Sequence, residues 1–366
     1  MSSLATDRVD QCSSGEFSAQ PFALSPAQSA LWYAQRIRPD IPLTIAQFVE
    51  IHGDLDVGRL LYAIERFGAE SEVGHVRLLE IDGVPHQVVD PSWRPGWARI
   101  DLREEPDPRA AARAWMNEHA SSPIDIERDP LTMNVVLRVG DSDWIWYTRG
   151  HHIVIDGYGA MNATTRAAEI YTALENQTEP VVSRAAPLAA IYGDENRYRD
   201  TSRFVTDSDY WREQLTGVGE PITLSGNGSL PVVSDGGRRT ATAVIGRDVE
   251  TAIEAAATAF GTNSSALFVA ALAGYARAVT GTQDVVLSLP VSARTTVALR
   301  RSGGVVSNVV PIRVQFSATD TVADTVRAIE LQITGALRHQ RYRSDDIRRD
   351  CGYPATRAAS SAPWST

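Results

Sequence analysis

The sequence predicts an α/β fold of mixed sheets carrying helices, divided into two lobes. Three observations predict it. Strand-like runs rich in Val, Ile, Leu and aromatics recur between segments with helical apolar spacing. Turn signals such as Asp82-Gly83 close hairpins among them. Between Glu175 and Ala190 the composition shifts to Pro, Ser, Asn and Thr, as a link between lobes does. A chain of 366 residues is long enough for two substantial cores, and 43% hydrophobic with 22% charged residues is ordinary for a globular protein.

Taken in order, residues 1–19 are polar and rich in small side chains, and are expected to be a disordered tail. Ser25 offers an N-cap and Pro26 suits the first helical turn, so Ala27 to Arg38 is the first helix. Ile45 to Ile51 alternates as a strand, Gly53 and Asp54 turn the chain, and Val57 to Phe67 is apolar at helical spacing. Val76–Ile81 and Pro85–Val89 flank Asp82-Gly83 as a hairpin, and Pro108 to His119 is a helix. A second hairpin, Leu131–Val139 and Trp144–Thr148, turns through Gly140, Asp141, Ser142 and Asp143. Ala160 to Leu174 has the mixed pattern of an amphipathic helix.

These elements make a first lobe of residues 20–175, followed by a linker, 176–200, and a second lobe, 201–350. In the second lobe we expect a helix at Asp207–Leu215, a strand at Arg239–Ile245, helices at Val249–Phe260 and Ser264–Val279, a strand at Asp284–Leu289 and a long helix at Thr321–Tyr342.

The stretch around which the rest is organised is His151-His152-Ile153-Val154-Ile155-Asp156-Gly157. It falls where the second hairpin gives way to a loop and a helix, a place where a buried strand fixes the backbone of side chains at the sheet end. A neutral imidazole accepts a proton near neutral pH. In extended backbone His151 and His152 point to opposite faces, so the two do not share a task. Asp156 either orients an imidazole or holds a distant cation, and Gly157 permits backbone conformations closed to other residues. The spacing alone does not make a metal site, because the chain has two cysteines, Cys12 and Cys351, far from the motif, and few further histidines. No metal is expected.

Composition excludes several classes of function. A net charge of −10 argues against nucleic acid as a partner. All 35 basic residues are arginine, so Schiff-base chemistry on lysine is excluded. No apolar run reaches membrane-spanning length and the N-terminus lacks a signal pattern, so we expect a cytoplasmic protein with no membrane partner. Arginines at 338, 341, 343, 348 and 349 form either a surface for an acidic carrier or, more commonly for such a run, a solvated face.

HHIVIDG matches the HHxxxDG signature of condensation domains of nonribosomal peptide synthetases, in the chloramphenicol-acetyltransferase-like superfamily. Further stretches match in order: LSPAQSALWYAQRI, PIDIERDPLTMNVVLRV, SDYWREQL, LPVSAR, GGVVSNVVPIRV and ALRHQRYRSDDIRRD, together spanning about Pro21 to Asp350. The chain therefore resembles a condensation domain. WIWYTRGHHIVIDGYG, TIAQFVEIHGDLD and LRHQRYRSDDIRRD look most like the first such domain of enterobactin-type siderophore synthetases.

The resemblance implies two chloramphenicol-acetyltransferase-like lobes in a V with a tunnel between them. An upstream acyl or aryl carrier protein would present a thioester on its phosphopantetheine arm, and a downstream peptidyl carrier an aminoacyl thioester whose amine attacks it; no cofactor is bound directly. By the same resemblance His152 is the base or hydrogen-bond acceptor for the amine, and Gly157 lends its N–H to the oxyanion. Asp156 is structural and pairs with Arg294, His151 is packed rather than catalytic, and Asn308 lines the acceptor channel unless it is a strand-end residue. Condensation domains continue past the position of Asp350, whereas residues 351–366 match nothing expected there. An incomplete second sheet with an exposed edge is therefore anticipated. Two other functions remain open: a catalytically silent remnant that only docks carriers, and a free-standing acyltransferase using acyl-CoA.

Overall fold

A computed structural model of the chain describes residues 20–219 and 243–352. The chain divides into two units. The first runs up to Arg199 and also takes Arg294–Ser307; the second takes Asp200–Ala293 and the chain from Asn308 onward.

In the first unit β1 (Phe22–Ala23) leads into α1 (Pro26–Ile37), whose Ser25 and Gln28 form a reciprocal capping box. Then come β2 (Thr44–His52), α2 (Val57–Ser71), β3 (Val76–Ile81), β4 (Val84–Val89), β5 (Gly96–Asp101) and α3 (Pro108–Ser121). The hairpin that leads into the HHIVIDG stretch is β6 (Thr132–Arg138) and β7 (Asp143–His151), followed by α4 (Gly157–Glu175) and α5 (Leu188–Tyr198). The main sheet has the order β2-β7-β6-β5, antiparallel except for the β5–β6 pair, and β1-β4-β3 form a smaller sheet.

Why the main sheet reads as nearly continuous hydrophobic sequence is plain from its two faces. Val135, Leu137, Ile145 and Tyr147 pack with Ala112 and Met116 of α3, whereas Val136, Trp144 and Trp146 pack with Leu60 and Ile64 of α2 and Ala167 and Ile170 of α4. Both faces of β6 and β7 are covered, so these central strands are largely apolar on both sides, whereas the edge strand β2 alternates, with Ala46, Phe48, Glu50 and His52 exposed. The Asp82-Gly83 turn has positive φ at both residues, 51° and 78°, as a two-residue hairpin loop requires.

The second unit contains α6 (Ser202–Leu215), α7 (Arg247–Phe260), α8 (Ser264–Thr280), β8 (Asp284–Val291), β9 (Asn308–Gln315), α10 (Val322–Arg338) and α11 (Ser344–Asp350). The short helix α9′ (Val297–Arg301) lies between the two strands in sequence and belongs to the first unit. β8 and β9 form an antiparallel pair that, among the described residues, is the unit's whole sheet, so each strand has one edge with no described strand on it.

Several expectations need correction. The 176–200 linker contains α5, which begins after Pro187 and buries Leu188, Ile191, Tyr192 and Tyr198, so it is part of the first unit. The second lobe is not the continuous stretch 201–350, because Arg294–Ser307 is drawn into the first unit by contacts to Asp156 described below. The long C-terminal helix stops at Arg338, where Asn308 captures the next carbonyls, rather than running to Tyr342. β5 and β9 were not foreseen. Of the strand expected at Arg239–Ile245, residues 239–242 lie outside the described residues and 243–246 form no strand. The expected tail, 1–19, and most of 351–366 also lie outside them.

Candidate active site

β7 runs three residues further than its apolar pattern suggested, so His151 is its last residue, paired with Thr44 of β2. By strand alternation its side chain lies on the side of Ile145 and Tyr147. The ring is fully buried: Nδ1 accepts from the Ile153 N–H at 3.1 Å, and Nε2 lies 3.0 Å from Gln35 Oε1. Burial, then the neighbouring His152 and Arg149, push its pKa down to about 3. His151 is a neutral structural residue.

His152 differs at every point. Its backbone N–H is fixed to Leu43 O at 2.7 Å, and its side chain is half-buried. Nδ1 is buried with no hydrogen-bond partner among the described residues, so no carboxylate orients the ring. The following Ile153, Val154 and Ile155 are buried, and Ile153 O accepts from Gln28 Nε2 at 3.0 Å. The Gln28 and Gln87 amides exchange hydrogen bonds of 2.9 and 2.8 Å, so Gln28 is itself held in place. Gly150 is required here: a Cβ on it would come within 2.7 Å of Ile155 Cγ2.

Asp156 caps α4, with Oδ1 accepting from the Gly159 N–H at 2.7 Å. Its Oδ2 accepts from Arg294 Nη1 at 2.8 Å and from the backbone N–H groups of Val306 at 2.9 Å and Ser307 at 2.8 Å. Burial alone would push this carboxyl up, but the Arg294 charge and these hydrogen bonds outweigh it and hold it below its usual value. Of the two roles the sequence left open for Asp156, the structure shows the distant cation, Arg294, and no imidazole is among its partners in the described residues. Arg294 also donates to Gly304 O at 3.2 Å, and its guanidinium lies over the Tyr158 ring, 4.8 Å from the centroid.

Gly157 is the first residue of α4, exposed, with no left-handed φ, which corrects the expectation that it serves an unusual backbone conformation. A Cβ there would meet nothing within 4 Å, and its N–H makes no hydrogen bond among the described residues. The site thus has two unspent polar groups in a short stretch, the half-buried His152 imidazole and the Gly157 amide, between the fully engaged side chains of His151 and Asp156.

The structure brings His151, His152, Asp156, Gly157 and Arg294 into one unit. Asn308 belongs to the other. Its Nδ2 donates to Gln340 O at 2.9 Å and Tyr342 O at 2.7 Å, and its Oδ1 accepts from the Ser344 N–H at 3.1 Å. That side chain clamps the turn between α10 and α11 from the first residue of β9. In the arginine run Arg338 and Arg349 are exposed, Arg348 pairs with Asp345, and Arg349 with the buried Asp346.

A family model described as a condensation domain matches residues 18–361. The chain belongs to the condensation-domain family. The match runs beyond Asp350, past the point where the recognised stretches end. An isonitrile lipopeptide synthase from Streptomyces coeruleorubidus is 33% identical over 89% of this condensation domain and 22% of its own length. Enterobactin synthase component F of Escherichia coli (strain K12) is 27% identical over 94% of this chain and 26% of its own. The chain therefore spans about a quarter or less of these curated relatives. Among solved structures, the starter condensation domain of rhizomide synthetase in complex with C8-CoA superposes with a TM-score of 0.82 at 31% identity, covering 92% of this chain and 76% of that one. The first condensation domain of the calcium-dependent antibiotic synthetase superposes with a TM-score of 0.80 at 28% identity, covering 92% and 80%. The fold is chloramphenicol-acetyltransferase-like, and amide-bond formation by acyl transfer is the activity of this family on nonribosomal peptide synthetases. Among the described residues no single helix is long and apolar enough to cross a membrane, and no cluster of metal-ligating side chains occurs.

Sequence reasoning missed Gln28, Gln35, Gln87 and Tyr192. For Gln28 the signal was present, as the third residue after the Ser25 cap. Gln35 is a lone amide on the helix LWYAQRI, and Tyr192 lay in a segment taken for linker.

Proposed function

We propose that this condensation domain joins a donor acyl thioester to the amine of an aminoacyl group carried on the phosphopantetheine of a downstream carrier protein. The amine nitrogen attacks the thioester carbonyl, the C–N bond forms, the C–S bond breaks, and the amine proton ends on the departing thiol. His152 is the group that accepts a hydrogen bond from the amine, and the Gly157 N–H faces the oxyanion that develops on the carbonyl. The carrying observation is the division within HHIVIDG: His151 and Asp156 are buried and fully engaged, whereas the His152 ring and the Gly157 N–H are left uncommitted. Alignment of two tethered reactants supplies most of the rate enhancement.

The donor is an initiating acyl group. The enterobactin relative supports an aryl acid from an upstream carrier, as in siderophore assembly; the lipopeptide relative and the starter domain bound to C8-CoA support an aliphatic chain. A mass-spectrometric assay separates them, offering 2,3-dihydroxybenzoyl carrier, octanoyl carrier and octanoyl-CoA with an aminoacyl carrier to wild type and His152→Ala. Amide product from wild type, lost in His152→Ala, establishes the function, and the accepted donor names its class. Carrier binding without turnover on any donor points instead to a docking remnant, and turnover on CoA without carriers to a free-standing acyltransferase.

A further inference from the structure

We propose that Gln35, a residue of α1 outside the HHIVIDG motif, is a positioning residue that holds His152 from both sides at once. The inference rests on the function proposed above for the meaning of His152, but its geometry stands independently.

Gln35 is buried, and each end of its amide has work of its own. Nε2 faces the carbonyls of Arg38, Pro39 and Ile41 at 3.2, 3.2 and 3.3 Å. Three acceptors around one group leave no doubt which end of the amide is nitrogen. Oε1 is therefore an acceptor, and the His151 Nε2 beside it at 3.0 Å must carry a proton. At the other side of that ring, Nδ1 accepts from the Ile153 N–H and must carry none. Gln35 and the motif's own backbone together select one neutral tautomer of His151. Arg149, the nearest cation along the strand, and burial act in the same direction.

The second hold is through the backbone. The loop gathered by Gln35 Nε2 leads directly to Leu43, whose carbonyl receives the His152 N–H at 2.7 Å. One amide thus joins a closed circuit: His151 ring, Gln35, the loop after α1, Leu43, His152 backbone. No group on the His152 ring itself restrains it, so its placement depends on the two peptide units that this circuit fixes. An error of about 1 Å in such a group lowers turnover about a hundredfold.

The test uses the full chain with ¹⁵N-labelled histidine and two variants. Gln35→Met keeps the volume and removes both holds; Gln35→Glu keeps the acceptor for His151 and removes the donors to the loop. Histidine ring resonances, assigned with His151→Gln and His152→Ala, should show His151 as the neutral tautomer protonated at Nε2 in wild type. In Gln35→Met the His152 resonances shift as well, and turnover falls about tenfold to a hundredfold in kcat with cooperative unfolding retained. Gln35→Glu falls between. A wild-type His151 protonated at Nδ1, or a Gln35→Met protein with unchanged His152 resonances and unchanged kcat, overturns the proposal. Should Gln35→Met fail to fold, the wild-type tautomer and Gln35→Glu still decide it. Absence of wild-type turnover on every donor counts against the proposed function, and the ring resonances then judge Gln35 alone.

Discussion

Asp156 and Arg294, 138 residues apart, meet as an ion pair with neither side chain exposed, Arg294 Nη1 lying 2.8 Å from Asp156 Oδ2. Removing one partner leaves the other as an uncompensated buried charge. Arg294→Ala should therefore lower stability by about 3–5 kcal/mol in urea unfolding. Asp156→Asn alone should also destabilise, but the double variant should cost clearly less than the sum, because the charge left behind is then gone.

Acid should weaken the fold in two stages. An unfolded His151 binds a proton below its ordinary value of 6.5, whereas the folded ring resists until about 3, so unfolding takes up a proton across that window. Stability then rises with pH between those values, by at most about 1.4 kcal/mol per pH unit. Asp156 acts in the same direction lower down: its contribution is present above the unfolded value of 3.8 and is lost as pH falls through its depressed folded value. Urea midpoints between pH 7 and pH 4 should fall, and His151→Gln should flatten the curve by about one proton.

Gly157→Ala separates chemistry from folding. The residue is helical, has no left-handed φ, and a Cβ would meet nothing within 4 Å. Stability should stay level or rise by about 0.4–1 kcal/mol. If the Gly157 N–H serves the oxyanion as proposed above, turnover should nevertheless fall, since the added methyl stands beside that N–H. A melting curve and a single-turnover assay on the same preparation check both halves.

Tyr192 and Gly304 form a matched pair. The Tyr192 hydroxyl, kept protonated by burial, accepts from the Val305 N–H at 3.0 Å, and a Cβ on Gly304 would come within 2.7 Å of that same oxygen. Tyr192→Phe leaves a buried N–H unpaired and should cost about 1–3 kcal/mol. Gly304→Ala should cost more, because its φ of 76° is also strained for alanine, and Tyr192→Phe should relieve part of that penalty in the double variant.

The motif, its flanking hairpin and the Asp156–Arg294 pair were legible because local rules or a matched stretch carried them. Ser25, Pro26 and Asp82-Gly83 announce their elements within a few residues. What was not legible depends on contacts between distant segments. Nothing near Tyr192 says that its hydroxyl will meet Val305, and nothing near Gln35 says that its amide will face His151. Asn308 shows the opposite case: its place in the matched stretch suggested substrate, while three carbonyl and amide partners from the α10–α11 turn claim it. β5 escaped because GWARID pairs in parallel with a strand further along, a partner no local turn announces.

The return of Arg294–Ser307 to the first unit carries a consequence for how the polypeptide is made. As the nascent chain leaves the ribosome, Asp156 emerges long before the arginine and the Val306 and Ser307 amides that compensate its charge. Until Ser307 is free of the exit tunnel, the catalytic loop has no native means of burying that carboxylate. Limited proteolysis of ribosome-stalled chains ending before Arg294 and well beyond Ser307 should show protection of the HHIVIDG loop in the longer chains only. On this reading the HHIVIDG loop closes late within its own unit, and a chain stopped short of Arg294 should hold the residues of every strand of the first unit's sheets while lacking the partners of Asp156.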